Sequence, residues 1–184
     1  MRTCARLRAG KLVDPTTATK VALRSLALRH EALETEVKVL EAQLTRLTAG
    51  VAPELLAVFG LGADSAGALL VAAGDNPRRL RSEAAFAMLC GASPVEASSG
   101  KVTRHRLNRG GDREANCALY HIVMVRLRWH QPTKDNTARR MTEGESKREI
   151  IRCLKRYVAR EVYAVLRSMP MGDHPTGQAR GEVA

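Results

Sequence analysis

Eight positions between residues 23 and 47 constrain this chain more than any other feature. Leu23, Leu26, His30, Leu33, Val37, Leu40, Leu44 and Leu47 alternate spacings of three and four without a break. That spacing keeps all eight on one edge of a helix and writes a heptad seam with leucine at every d position. His30 is the one polar a position. Flanking charges are mixed: in a parallel pair Arg29 would face Glu34 favourably, but Glu36 would face Glu41. The pattern therefore predicts a long helix over 20–48 with one adhesive edge, used either to pair chains or to pack within one globule. Asp14-Pro15-Thr16-Thr17 reads as the turn before it, and Gly50 followed by Pro53 as its end.

The remaining chain is also read as helical. LLAVFGLGADSAGALLVAAG, 55–74, places two short apolar runs about Gly60-Leu61-Gly62. This fits a helix-hairpin-helix, whose glycines permit a tight turn and whose second helix offers backbone N–H groups to a phosphate. The same letters fit a plain glycine turn between packed helices. Asp75-Asn76-Pro77 reads as a turn, and Ser82 caps SEAAFAMLC, which ends at Gly91. Residues 92–112 show no helical period. From 113 to 130, Ala115, Leu119, Ile122, Val123 and Leu127 make one face, and QPTKDNT, 131–137, reads as a loop. Over 145–168 an apolar stripe (Ile150, Ile151, Leu154, Tyr157, Val158, Val162, Val165, Leu166) opposes a basic face of Lys147, Arg148, Arg152, Lys155, Arg156, Arg160 and Arg167. No alternating run suggests a strand. The expectation is an all-α protein in four parts: a partly disordered linker over 1–19, a coiled-coil helix over 20–49, a helical domain over 50–168, and a disordered tail over 169–184.

Composition bears on partners. Aromatics make up only 3% of the 184 residues, so the core must be built from Ala, Leu and Val, which suits closely packed helices. Thirty Lys and Arg against 19 Asp and Glu leave +11, and a polyanion, most commonly nucleic acid, is the partner such a charge selects. No apolar run is long enough for a membrane span, and MRTCARLRAGK is basic without an apolar signal core. A cytoplasmic protein with no membrane partner is expected. Cys4, Cys90, Cys117 and Cys153 are widely spaced, which predicts reduced thiols and no zinc site.

The chemistry, if any, lies in ASSGKVTRHRLNRGG, 97–111. A phosphate-binding loop fails, because Gly91 is too far from Gly100 and Val102 follows Lys101 where Ser or Thr is required. A serine hydrolase lacks its G-x-S-x-G elbow. A two-metal nuclease lacks converging carboxylates, since Asp64, Asp75, Glu96 and Asp112 sit at helix starts or turns. What remains is a polar loop carrying Lys101, Arg104, His105, Arg106 and Arg109, opening through Gly110-Gly111-Asp112-Arg113 into a helix. Such a loop wraps a phosphodiester backbone. A serine within it, Ser98 or Ser99, sits among groups that stabilise charge on a phosphate under attack. The commoner reading of such residues is a basic loop that only binds.

The order of these segments resembles one family. A glycine-rich helical hairpin is followed by GDNPRRLRSEAAFAMLCGASPV, SSGK, HRLNRGGDREANCALY and EGESKREIIRCLKRYVAREVY. Over about 20–168 this looks like the C-terminal transposase domain of insertion-sequence transposases that pair an acidic-tetrad, RuvC-like nuclease domain with a serine. Members are known as bridge-RNA-guided recombinases and include the pilin-gene invertases. The resemblance implies that Ser99, just before Gly100, is the nucleophile that forms a phosphoserine link to DNA, with Ser98 the fallback if the register is shifted by one. It implies that Lys101, Arg104, Arg106, Arg109 and Arg113 contact DNA phosphates or a guide RNA. Gly60 and Gly62, His105, and Lys147, Arg148, Arg152, Lys155 and Arg156 complete the expected nucleic-acid surface. The seam of 20–48 is similar to the family's coiled coil and implies a homo-oligomer or pairing with a full-length transposase. Nothing before residue 20 could supply the acidic tetrad, so the expectation is that the working enzyme is longer. Mg²⁺ is expected only with that RuvC-like domain, and no cofactor is expected in this chain. The alternative is a non-catalytic, dimerising nucleic-acid-binding module or a truncated, inactive transposase remnant.

Overall fold

The computed structural model describes residues 2–8, 10, 14–74, 80–96, 105–106, 108 and 110–169. Eight helices and two two-residue strands run in the order α1 Arg2–Ala5, α2 Pro15–Val51, α3 Pro53–Leu56, α4 Ala63–Ala73, α5 Glu83–Leu89, β1 Val95–Glu96, β2 His105–Arg106, α6 Arg113–Trp129, α7 Gln131–Thr142 and α8 Lys147–Ser168 among the described residues. The fold class is all-α. The chain divides into two compact units, residues 1–47 and 48–184.

In the first unit α2 dominates, and it starts at Pro15 rather than at residue 20. The Asp14 side chain accepts hydrogen bonds from the Thr17 amide at 2.7 Å and the Thr17 hydroxyl at 3.0 Å. Pro15 takes the first helical position, where its missing N–H costs nothing. These contacts hold the Asp14 carboxyl below its usual range, led by the bond from the Thr17 amide. At the other end the helix runs through Gly50 to Val51. Leu23, Leu26, Leu33, Val37, Leu40 and Leu47 of the seam are all exposed.

The second unit holds the core. α6 packs against α4, α7 and α8, and α5 packs against α8. Leu55, Leu69, Phe86, Leu119, Ile122, Val123, Ile150, Val158 and Val162 are fully buried within it. The expected face of α6 is the one that packs: Ala115, Leu119, Ile122 and Val123 are buried, and Leu127 is partly buried against the core. α8 opens with a reciprocal cap in which Ser146 Oγ accepts from the Glu149 amide and Glu149 accepts from the Ser146 amide at 2.9 Å.

Several expectations are corrected here. QPTKDNT is not a loop but the start of α7. Pro132 lies in its first turn, where proline is tolerated, Gln131 donates to Asp135 one turn on at 2.7 Å, and the Thr137 hydroxyl donates to the Thr133 carbonyl at 2.7 Å. Within 92–112, where no helical period was expected, the chain forms two two-residue strands that leave the all-α class unchanged. Val95 pairs with Arg106 and Glu96 with His105 in an antiparallel ladder too short to leave an alternating pattern. The first run of the glycine hairpin is a single turn, α3, followed by turn residues. Residues 75–79, which include the expected Asp-Asn-Pro turn, and 170–184 lie outside the described residues.

Candidate nucleic-acid interface

Two glycines far apart in sequence meet at the centre of this region. α5 ends at Gly91, whose φ of +63° suits a glycine, and the Ala92 amide closes back onto the Ala87 carbonyl at 2.8 Å. A Cβ on Gly91 would stand 2.8 Å from Asn116 Nδ2. Opposite lies Gly111, where a Cβ would fall on the backbone N and Cα of Gly91. The Asp112 amide donates to the Leu89 carbonyl at 2.6 Å, and the Asp112 side chain caps α6 by accepting from the Ala115 amide at 2.8 Å. Gly110-Gly111-Asp112 is therefore a packing joint that fixes the start of α6 against the end of α5.

Side chains reinforce this joint. Asn116 donates to the Cys90 carbonyl at 2.8 Å, Lys155 donates to Asn116 Oδ1 at 2.8 Å, and Asn108 donates to the Met88 carbonyl at 3.3 Å. Burial lowers the Lys155 pKa, aided by the nearby charge of Arg152. Burial raises the Cys90 thiol to about 12, with the Asp112 charge adding to the effect. The β1–β2 ladder rises from this root, and the sequence joining its strands contains Ser98, Ser99, Lys101 and Arg104.

The sequence-predicted residues separate by position. Ser98, Ser99, Lys101, Arg104 and Arg109 lie outside the described residues. His105 and Arg106 form β2. Arg113, Lys147 and Arg148 are exposed and Arg152 is half-buried. Arg148, Arg152 and Lys155 follow one another at helical spacings of four and three, so a basic row on α8 leads to the joint. Lys155 itself corrects the expected solvated face, because it is buried against Asn116. Arg156 and Arg160 bridge to Glu83 at 2.8 and 3.0 Å. Lys155 and Arg156 thus act first in holding the fold together.

The glycines of the hairpin motif differ in role. Gly60 has φ +85° and sits against α6, where a Cβ would stand 3.4 Å from both Arg126 Cγ and the Ile122 carbonyl. Gly62 precedes α4 in extended conformation with open space around it and no side-chain cap on the helix. One residue in this region is not among those the sequence singles out. Arg126, on the buried face of α6, donates from Nε to the Phe59 carbonyl at 2.9 Å and from a terminal nitrogen to Glu161 at 2.7 Å. An arginine within an apolar helical face was the only available hint. Among the described residues no three His, Cys, Asp or Glu side chains gather to hold a metal ion, and no helix is long and apolar enough to cross a membrane.

The two glycines of this joint and the strand pair above it fall within the stretch that comparison also selects, while the basic row of α8 lies beyond it. Residues 52–138 match the model of the transposase IS116/IS110/IS902 family. The match supports a transposase domain here, and with it transposition or recombination as the general process. It spans α3 to most of α7 and includes both glycines of the joint. No curated protein matches the chain.

Proposed function

We propose that this chain is a nucleic-acid-binding transposase domain in which Ser99 attacks a DNA phosphodiester. The observation that supports the reading is the braced root of the β1–β2 ladder. Gly91 and Gly111 close it, Asn116 and Lys155 hold it, and exposed Arg113 and the basic row of α8 lie beside it. A loop that must present one hydroxyl to one phosphorus needs rigid ends, since misplacement by about 1 Å costs roughly 100-fold in rate. In the proposed step an Oγ–P bond forms and one P–O bond to deoxyribose breaks. The serine proton leaves with the departing deoxyribose oxygen. The phosphoserine link keeps the bond energy for rejoining to a second DNA end, and flanking arginines offset the charge that builds on phosphorus.

Within this reading the partners are DNA and a guide RNA, the exposed α2 seam joins the chain to a second copy or to a full-length transposase, and Mg²⁺ enters with a RuvC-like domain. The cytoplasm is the proposed setting.

The test is to express the chain together with a transposase that carries the RuvC-like domain and with the DNA that flanks its own gene, so that guide, target and metal site are all present. Mass spectrometry of the denatured, digested protein should find a nucleotide on Ser99. Ser98→Ala should keep the adduct and Ser99→Ala should lose it. An adduct that survives Ser99→Ala, or bound DNA with no adduct, rejects the serine chemistry.

A further inference from the structure

The chain holds one Trp, three Tyr and two Phe, and most of them are on the surface. Phe86 and Tyr163 are buried and pack together with ring centres 6.2 Å apart. Phe59, Tyr120, Trp129 and Tyr157 are exposed, Trp129 by 66%. Each exposed ring has a basic neighbour. His130 lies 5.0 Å from Phe59, His121 lies 6.2 Å from Tyr120, Arg128 sits 5.0 Å over Trp129, and Arg140 and Arg160 flank Tyr157 at 6.0 and 5.9 Å. A core this poor in aromatics gains most from burying them, so leaving these outside, each beside an arginine or an imidazole, is a pattern with a use.

The pattern is best developed where Phe59 meets the end of α6. Phe59 is 46% exposed, yet its backbone is fixed, because buried Arg126 donates to its carbonyl and the Gly60 turn that follows is packed on α6. His130 is fixed too, with Nδ1 2.8 Å from the Thr133 hydroxyl. Glu161, the carboxylate that reaches this corner, is already bound by Arg126. Two rings pinned from behind, at the end of the helix whose last two residues are Arg128 and Trp129, make a surface that attracts a flat, electron-rich group carried on an anion. We propose that Phe59 and His130, at the end of α6 that also carries Arg128 and Trp129, are a stacking platform for an unpaired nucleobase of a bound single strand. This rests on the nucleic-acid reading above and adds a base contact to a surface otherwise described by phosphate contacts.

Trp129 is the chain's one tryptophan, so its fluorescence reports on this corner alone. The probes are an oligodeoxyadenylate of about eight nucleotides and an abasic strand of equal length, within the usual span of single-strand sites. The adenylate should quench Trp129 and bind roughly tenfold more tightly than the abasic strand, as expected for one stacked base. Phe59→Ala should remove that advantage and leave abasic binding unchanged, while Phe59→Tyr should keep it. Equal binding of the two strands, or a Phe59→Ala protein that still prefers adenylate, overturns the platform alone. Failure of both strands to bind at low salt overturns the platform and the nucleic-acid reading together. A Trp129 signal that follows protein concentration without any strand assigns the corner to a second copy and overturns the proposal.

Discussion

Replacing Gly111 with alanine should open the joint between α5 and α6. Nothing about the Gly111 backbone forbids a side chain, and the objection is one of space. The new Cβ would fall on the backbone N and Cα of Gly91 and stand 3.0 Å from the Leu89 carbonyl. None of these is the movable end of a side chain, so the two segments must separate. Overpacking of this kind costs about 1–3 kcal/mol. Separation also strains the bonds from the Asp112 amide to Leu89 and from Asn116 to Cys90, each contributing about 1 kcal/mol. The sum is about 4 kcal/mol, which for a unit of this size lowers the melting temperature by roughly 12 °C. Trp129 lies in the same unit and makes fluorescence-detected melting the direct assay. Gly50→Ala is the internal control. It meets nothing within 4 Å and lies within α2, so it should stabilise by about 0.5–1 kcal/mol. A Gly111→Ala protein that melts within about 2 °C of the parent would show that the close contact is not a constraint on the fold.

Lys155→Met tests the buried ammonium. Its folded pKa is lowered, so the parent gains stability as pH rises through that value towards 10.5, and the variant should lack this gain. Cys90, raised to about 12, acts in the opposite sense above pH 9.0 in both proteins, so the difference between their urea midpoints at pH 8 and pH 10 isolates Lys155. Thiol labelling of the native protein at pH 8 should modify exposed Cys117 and leave buried Cys90 roughly 100-fold slower, as read by peptide mapping. Alanine at Arg104, Arg106 and Arg109 together should flatten the salt dependence of DNA binding by up to about three contacts, and an unchanged slope means that these arginines do not reach phosphate.

Helix α6 and the exposed edge of α2 were legible because their apolar residues recur at helical spacing, and burial of an apolar face drives helix packing. α7 was not, because its signals are polar. A first-turn proline and three short polar contacts make a helix out of letters that more often make loops. Lys155 was placed outside on charge alone. Yet it stands four residues after Ile151 and three before Val158, at the margin of the apolar stripe, where a lysine stem packs readily. The glycine joint was hidden for a different reason. Gly91 closes a helix and Gly110-Gly111 opens one, so each explains itself locally. Only the folded chain shows that they touch.

The touching glycines make the intervening stretch a cassette. Its two ends are brought together chiefly by the scaffold, with Asn108 the one side chain of the stretch, among the described residues, that the joint itself uses. Closing a longer loop across the same gap costs only about 0.6 kcal/mol for each doubling of length. The length of the segment between β1 and β2 can therefore change while α5 and α6 stay where they are. One glycine-to-glycine contact thus separates the length of the joining segment from the placement of the two helices.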